Sequence, residues 1–232
     1  MCGRYNIITD AQGLIDAFEI LQEDLQISLP FTPRYNISPS TKKLLTRIPV
    51  VRIVDGRRVL QSLVWPLIPF WAKGELPKYN TANAKGETVD KTASYRGPWR
   101  RGQRLLIPAT GFYEWQTIAG QKHKQPYHIH FDDDRVFAFA GLWDRSVNED
   151  GETVESCTII VTQANKLIAP IHNRMPVIIP PEAYEDWLTG DTEVARKLIE
   201  PYSGTSMSTV PITPYINNPQ NDDHRCLEPS IR

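Results

Sequence analysis

Between Val50 and Trp65 the chain spells out a β-hairpin. Val50-Val51-Arg52-Ile53-Val54 is β-branched, Asp55-Gly56 is the two-residue signature of a type I′ turn, and residues 57–65 return. A turn this tight forces the second strand antiparallel to the first. Further apolar, β-branched or aromatic runs follow at residues 105–107, 127–131, 136–143, 157–162 and 176–179. Nineteen prolines against 13 glycines argue against long helices. Helical signals are correspondingly short. Thr9 or Asp10 can cap a helix carrying Leu14, Ile15, Phe18 and Leu21 on one face. Pro180-Pro181 can open a second through Tyr184, Trp187 and Leu188, and Asp191-Thr192 can cap a third through Val194, Leu198 and Ile199. The expected fold is α+β, with a mainly antiparallel, open-barrel-like β core and short peripheral helices. No repeat or low-complexity linker divides the chain, so residues 1–232 are expected to form a single domain. Residues 66–104, rich in Pro, Lys, Arg and aromatics with weak periodicity, predict a long irregular segment of the kind that is functional or mobile.

Several classes of function drop out early. No apolar run approaches the roughly 18 residues of a membrane helix, and the start Met-Cys-Gly-Arg-Tyr-Asn has no apolar stretch of a secretory signal. Three scattered cysteines, Cys2, Cys157 and Cys226, fit neither a disulfide framework nor a Cys-rich zinc site, and predict a reducing compartment. With a net charge of −1, a nucleic-acid partner has to be held by a local patch.

Cys2 is the most informative residue. Removal of Met1 would leave it with a free α-amine, a 1,2-aminothiol that no internal cysteine can be. Reference pKa values of about 7.7–8.0 for the amine and about 8.5 for the thiol leave both partly nucleophilic at neutral pH. Two uses are open: the thiolate attacks a carbonyl with the amine as base, or the amine forms a Schiff base with an aldehyde and the thiol closes a thiazolidine. An incidental cysteine at a flexible terminus is the bland alternative.

Gly111-Phe112-Tyr113-Glu114-Trp115 sets one carboxylate within an aromatic run. Wherever that run is buried, Glu114 is desolvated and its pKa rises toward that of a neutral-pH acid or base. Strand alternation would instead turn it to solvent. His172 stands between a short apolar stretch and Pro176, and a lone histidine is more often structural than catalytic. His128 and His130, at i and i+2 of a strand with no further ligand at metal spacing, read as ordinary strand residues. Arg96, Arg100, Arg101 and Arg104 interleave with Tyr95 and Trp99, after Pro69-Phe70-Trp71. Such a pattern suits a single-stranded nucleic-acid groove or, equally, a solvated loop with packed rings. Gly3-Arg4 and Arg34-Tyr35-Asn36 with Pro39 add cations suited to phosphate or carboxylate, or to turns and surface charge.

Taken in order along the chain, these pieces resemble the SOS response-associated peptidase (SRAP) family, whose members cross-link to abasic sites in DNA. The resemblance rests on Met1-Cys2-Gly3-Arg4, Arg34-Tyr35-Asn36 with Pro39, Asn83-Ala84 followed by Glu87, and Gly111-Phe112-Tyr113-Glu114-Trp115. It continues through Ala140-Gly141-Leu142-Trp143, Thr162, His172 with Arg174 and Pro176, and the closing Asn217-Asn218-Pro219 and Leu227-Glu228-Pro229. It implies that Cys2, freed of Met1 by autocatalysis or by an aminopeptidase, forms a thiazolidine with the ring-opened abasic sugar in single-stranded DNA. Asn83 would position the Cys2 amine, Glu114 would shuttle protons and support reversal, and His172 would lie beside the sugar. Arg4, Asn36, Thr162 and Arg174 would line the site, and Pro39 and Trp71 would wedge against unstacked bases; from the arginine-rich segment itself, Arg96 is expected to add phosphate contact. Lys85 stands where the family commonly has arginine, which keeps the charge but loses the bidentate fork. The implied protein needs no metal or cofactor, acts as a monomer away from membranes, in the cytoplasm of a bacterium or the nucleus of a eukaryote, and has weak lyase activity through its Schiff base. Two other readings stay open. One is an N-terminal-nucleophile glutamine amidotransferase, against which stand Arg4 and the lack of an Asn-Gly-Asp stretch; the other is a non-catalytic single-stranded DNA binder.

Overall fold

In a computed structural model of the chain, residues 2–27, 30–42 and 44–230 are described. The first half runs β1 (Tyr5–Ile7), α1 (Ala11–Phe18), β2 (Leu25–Gln26), β3 (Arg34–Ile37), β4 (Thr46–Val54), β5 (Arg57–Trp65), β6 (Asn83–Lys85) and α2 (Ala93–Arg100). There follow β7 (Arg104–Ala109), β8 (Gly111–Gln116), β9 (Gln125–Phe131), β10 (Phe137–Val147) and β11 (Thr153–Gln163). The chain closes with β12 (Arg174–Pro176), β13 (Ile178–Ile179), α3 (Tyr184–Thr189), α4 (Thr192–Lys197) and β14 (Met207–Pro211).

The β4–β5 hairpin is in register from Thr46↔Trp65 to Val54↔Arg57, and both turn residues, Asp55 and Gly56, have the positive φ of a type I′ turn. β4 pairs with β7, β7 with β10 and β10 with β11, all antiparallel. β11 then meets β5 in parallel at Ser156↔Val64, which closes the five strands into a barrel. Five is odd, so alternating directions cannot close on themselves and one seam has to be parallel. Further along β11, Val161 faces Lys85 of β6 on one edge and Pro176 of β12 on the other.

A second, wholly antiparallel sheet has the order β14-β9-β8-β1-β3. β1 is therefore an interior strand, and the residue leading into it, Cys2, is carried into the core instead of fraying as termini usually do. The sheet seats on the barrel through aromatic edges: Tyr5 lies 5.7 Å from both Trp65 and Phe139, and Phe112 lies 5.9 Å from Phe139.

The helices are six to eight residues long. Asp10 caps α1 by accepting the Gly13 N–H (2.9 Å), and Leu14 and Phe18 are buried. Leu21, expected on the same face, lies past the left-handed residue Glu19 that ends the helix, and it is exposed. Asp191 caps α4, and a 3₁₀ turn at Pro181–Ala183 precedes α3. Residues 66–104 correct the expectation of an irregular segment: they contain a 3₁₀ turn (Phe70–Ala72), β6 and α2. α2 was hidden because Gly97 and Pro98 are poor helix residues; burial of Tyr95, Pro98 and Trp99 against the barrel holds it instead. No helix among the described residues is long and apolar enough to cross a membrane.

Candidate active site

Four chain segments meet where β1 begins. The loop 66–82 is fastened to the barrel by Trp65 Nε1–H on the Ala82 carbonyl (3.0 Å), and its two ends are tied together by Thr81 Oγ1–H on the Leu67 carbonyl (2.7 Å). Those bonds deliver Asn83 onto the edge of β11, opposite Ile159. The buried Tyr95 of α2 donates to the Asn83 carbonyl (3.1 Å) and fixes its backbone. With its backbone held, the Asn83 side chain donates through Nδ2 to the carbonyl of Cys2 (2.9 Å). Cys2 is fully buried, and its Sγ–H donates weakly to the Arg4 carbonyl (3.7 Å). Burial pushes the thiol well above its ordinary range, and the Glu114 carboxylate adds to the push, so the thiol is protonated at neutral pH. Met1 lies outside the described residues.

Glu114 comes from β8, the neighbour of β1. The register Tyr5↔Phe112, with the Tyr113 N–H on the Arg4 carbonyl (3.0 Å), sets Gly3 across from Glu114. The carboxylate is 2% exposed, and burial raises its pKa to about 7. At neutral pH it is therefore divided between acid and base, the state in which one group can both give and take a proton. His172 lies across from it, Nδ1 to Oε2 3.9 Å, too long for a direct hydrogen bond. His172 Nδ1 lies 3.1 Å from the Arg174 N and 3.3 Å from the Arg174 carbonyl oxygen, so the Arg174 backbone holds the ring in place. Burial lowers the His172 pKa, so the ring is neutral at pH 7. Cys2, Asn83, Glu114 and His172 thus form one constellation drawn from the lead into β1, from β6 and β8, and from the approach to β12.

The other residues read from the sequence are placed unevenly. Thr162 and Arg174 are near β11–β12 neighbours, at Thr162↔Met175 and Gln163↔Arg174, with Thr162 buried. Arg174 is joined to Glu87 by a very short ion pair. Lys85 is exposed opposite Val161. Arg4 is occupied inside the protein: it donates to Asn36 Oδ1 (2.9 Å) and the Ile216 carbonyl (2.8 Å), and it lies over the Trp115 ring at 5.9 Å. Asn36 in turn donates to the carbonyls of Asn218 (3.0 Å) and Asn221 (2.8 Å). Both side chains strap the C-terminal segment across β3. Pro39 borders a groove of about 360 Å³ with Lys42, Pro66 and Tyr79; Trp71 is not in its lining and is exposed beside Phe70, ring centroids 5.0 Å apart.

The arginine-rich segment divides. Arg96 and Arg100 are exposed on α2, but Tyr95 and Trp99 are buried, so they cannot be the base-stacking rings the interleaving suggested. Helical spacing turns the aromatics inward and the arginines outward. Arg101 is paired with the buried Asp144 (3.0 Å), and Arg104 is buried, donating to the Trp187 carbonyl (2.5 Å).

Sequence reasoning missed two contributors. Arg196 of α4 donates to the Gly86 carbonyl (2.8 Å) and pairs with Asp90 (3.2 Å), clamping the turn after β6; no local pattern announces this. Lys124 acts electrostatically on both Glu114 and His172, and the signal available was an acid-free loop, 117–124, directly after the aromatic run. Among the described residues no three His, Cys, Asp or Glu side chains converge to hold a metal. A cavity of about 620 Å³ lined by Ala164, Leu167, Tyr202 and Met207 contains none of the site residues.

The chain is similar to known proteins over nearly its whole length. Residues 1–219 match the family described as SOS response associated peptidase (SRAP). The chain is 35% identical over 234 residues to the Bacillus subtilis abasic site processing protein YoqW, covering 98% of this chain and 99% of that one. It is 30% identical over 271 residues to the rat abasic site processing protein HMCES, covering 99% of this chain and 76% of that one. Among solved structures, a Bacteroides thetaiotaomicron protein superposes with a TM-score of 0.80 at 24% identity, over 99% of this chain and all of that one, which speaks to the fold. A Bordetella bronchiseptica protein gives 0.76 at 26% identity, over 91% of this chain and all of that one.

Proposed function

The chain belongs to the SOS response associated peptidase family, and we propose that it captures abasic sites in single-stranded DNA as a covalent thiazolidine on Cys2. The observation that carries this reading is the convergence of Asn83 on the Cys2 carbonyl with a half-ionised Glu114 one strand away. After Met1 is removed, by the protein itself or by an aminopeptidase, the Cys2 amine attacks the aldehyde carbon of the ring-opened sugar. Loss of water gives the Schiff base, and addition of the thiol to the same carbon closes the five-membered ring.

Each residue has a task in that sequence. The buried thiol is protonated, so it does not compete with the amine for the first attack and needs a base for the second. Glu114 gives a proton to the departing hydroxyl and takes the thiol proton at closure; run backward, the same transfers reopen the ring. His172, held by the Arg174 backbone and neutral, sets its ring beside the sugar without adding charge. Asn83 holds the Cys2 backbone and so aims the amine. The Schiff base is an electron sink for β-elimination, so slow strand cleavage accompanies capture. Neither metal nor cofactor enters these steps.

The test is incubation of the purified protein with single-stranded DNA carrying one abasic site, followed by denaturing electrophoresis. A slow-migrating species that depends on the abasic aldehyde supports the reading. Salt-reversible binding with no covalent species overturns it.

A further inference from the structure

Lys124 ends the β8–β9 loop. β9 starts at the next residue, Gln125, which faces Gln116, and two residues further in the register opposes Tyr127 to Glu114. Lys124 therefore stands at the open end of the strand pair that carries the carboxylate. Gln116 also donates through Nε2 to the Pro170 carbonyl (2.9 Å), tying this hairpin to the segment that ends in His172. The loop end is thus held against both halves of the Glu114–His172 pair.

The charges around it are unevenly committed. Arg4 is bound to Asn36 and the Ile216 carbonyl, and Arg174 is bound to Glu87. Lys124 is exposed, and residues 116–131 include no acidic side chain. Among the described residues no ion pair engages its ammonium. A long, solvated side chain with an uncommitted charge at the mouth of an acid–histidine pair is suited to a phosphate as a point-charge contact.

Resting on the abasic-DNA reading of this site, we propose that Lys124 binds the backbone phosphate adjoining the captured sugar and that this contact couples DNA binding to the protonation of Glu114. The groups facing Glu114 are the N-terminal amine and Cys2 ahead of β1, His172 ahead of β12, Lys124 at the head of β9 and the Trp115 backbone N–H; the amine acts on the carboxylate more strongly than Lys124 does. Of these, Lys124 is the side-chain cation, and unlike the amine it is not consumed in the reaction. Free, it favours the Glu114 carboxylate; neutralised by a phosphate, it lets the carboxyl take up a proton. Substrate arrival thereby produces the acid form that the departing hydroxyl requires.

The experiment compares wild type with Lys124→Gln and Lys124→Arg by two readouts that need no covalent chemistry. The first is affinity for single-stranded DNA containing a tetrahydrofuran abasic analogue, which has no aldehyde, as a function of salt. Lys124→Gln is expected to lower the slope of log affinity against log salt by about 0.7, and Lys124→Arg to restore it. The second is the Glu114 carboxyl titration followed by carbon NMR in the DNA-free protein, whose midpoint is expected to move upward in Lys124→Gln and not in Lys124→Arg. Wild-type binding with an unchanged slope in Lys124→Gln, or an unmoved Glu114 midpoint, overturns this proposal alone. Failure of the wild type to bind the analogue overturns it together with the DNA reading.

Discussion

Asn83 Nδ2 donates to the carbonyl oxygen of Cys2 across 2.9 Å, although the two residues are 81 positions apart, one on β6 beside the barrel and the other ahead of β1 of the second sheet. Their meeting depends on the β6–β11 pairing and on the Tyr95 hydroxyl that pins the Asn83 carbonyl. Asn83→Ala removes the only side-chain donor to the Cys2 backbone among the described residues. The cost in stability is about 1 kcal/mol, as for a typical buried hydrogen bond. We expect a fold near wild type with slowed cross-linking, measured as the single-turnover rate at saturating DNA; an unchanged rate would remove Asn83 from positioning.

Glu114→Gln keeps shape and removes the titration. Cross-linking or its reversal should slow by roughly 10²–10⁴-fold while DNA affinity holds. The wild-type rate should bend near pH 7 and the variant's should not. Stability carries the opposite sign of benefit. The folded carboxyl, at about 7, binds its proton more tightly than the unfolded one at 4.5, so this stability is complete below about pH 4.5 and lost as pH rises through 7. Glu114→Gln should therefore be more stable than wild type at pH 8, by an order-of-magnitude 3 kcal/mol at most, and chemical denaturation at pH 4.5 and 8 checks it.

His128 works the other way. It is buried, stacked on His130 at 4.8 Å, with its Nε2 2.9 Å from Asn6 Nδ2 and with Tyr113 alongside. Burial lowers its pKa to about 3. Between pH 6.5 and 3 the unfolded chain binds the extra proton, so this stabilisation is present above 6.5 and declines as pH falls. Denaturation midpoints of wild type should fall from pH 7 to 4.5 more steeply than those of His128→Gln. Parallel slopes would mean the ring is protonated in the fold.

The N-terminus should matter as an amine. One glycine inserted before Cys2 keeps the sulfur but turns the Cys2 nitrogen into an amide, leaving at most a readily reversed hemithioacetal. Cys2→Ala keeps the amine and permits a Schiff base and slow strand cleavage, but no thiazolidine. Denaturing electrophoresis should show no stable adduct from either variant. A stable adduct from the glycine-insertion protein would falsify the thiazolidine assignment.

The three arginines of the α2 region should separate. Arg96→Gln and Arg100→Gln, both on exposed positions, should each lower the salt slope of binding by about 0.7. Arg101→Gln should leave the slope alone and destabilise the fold, because Asp144 is 2% exposed and loses its ion-pair partner. Titration of DNA binding against salt, beside a thermal melt, distinguishes the two patterns.

Much of the architecture was legible locally. The β4–β5 hairpin follows from Asp55-Gly56, because only a type I′ turn matches the strand twist with both residues at positive φ. The caps Asp10 and Asp191 follow from a side chain that satisfies N–H groups a helix start leaves bare. The burial of Glu114 follows from the aromatic run around it, and with it the rise in pKa. These features depend on residues within a turn or two of one another, where sequence spacing is spatial spacing.

What the sequence could not decide was which distant segments meet. Tyr95 and Trp99 looked like partners for bases, and helical packing spent them on the core, one as an anchor for Asn83. Arg4 looked like a free cation, and the C-terminal strap claimed it. Barrel closure through Ser156↔Val64 and the interior place of β1 bring Cys2, Asn83, Glu114 and His172 together from across the chain. Such pairings depend on the mutual burial of surfaces far apart in sequence, and no local propensity encodes the partner. Residue types set the chemistry each side chain can perform; the packing of distant segments sets which groups share a dry site, and that neighbourhood is what moves a carboxyl from its ordinary range to about 7.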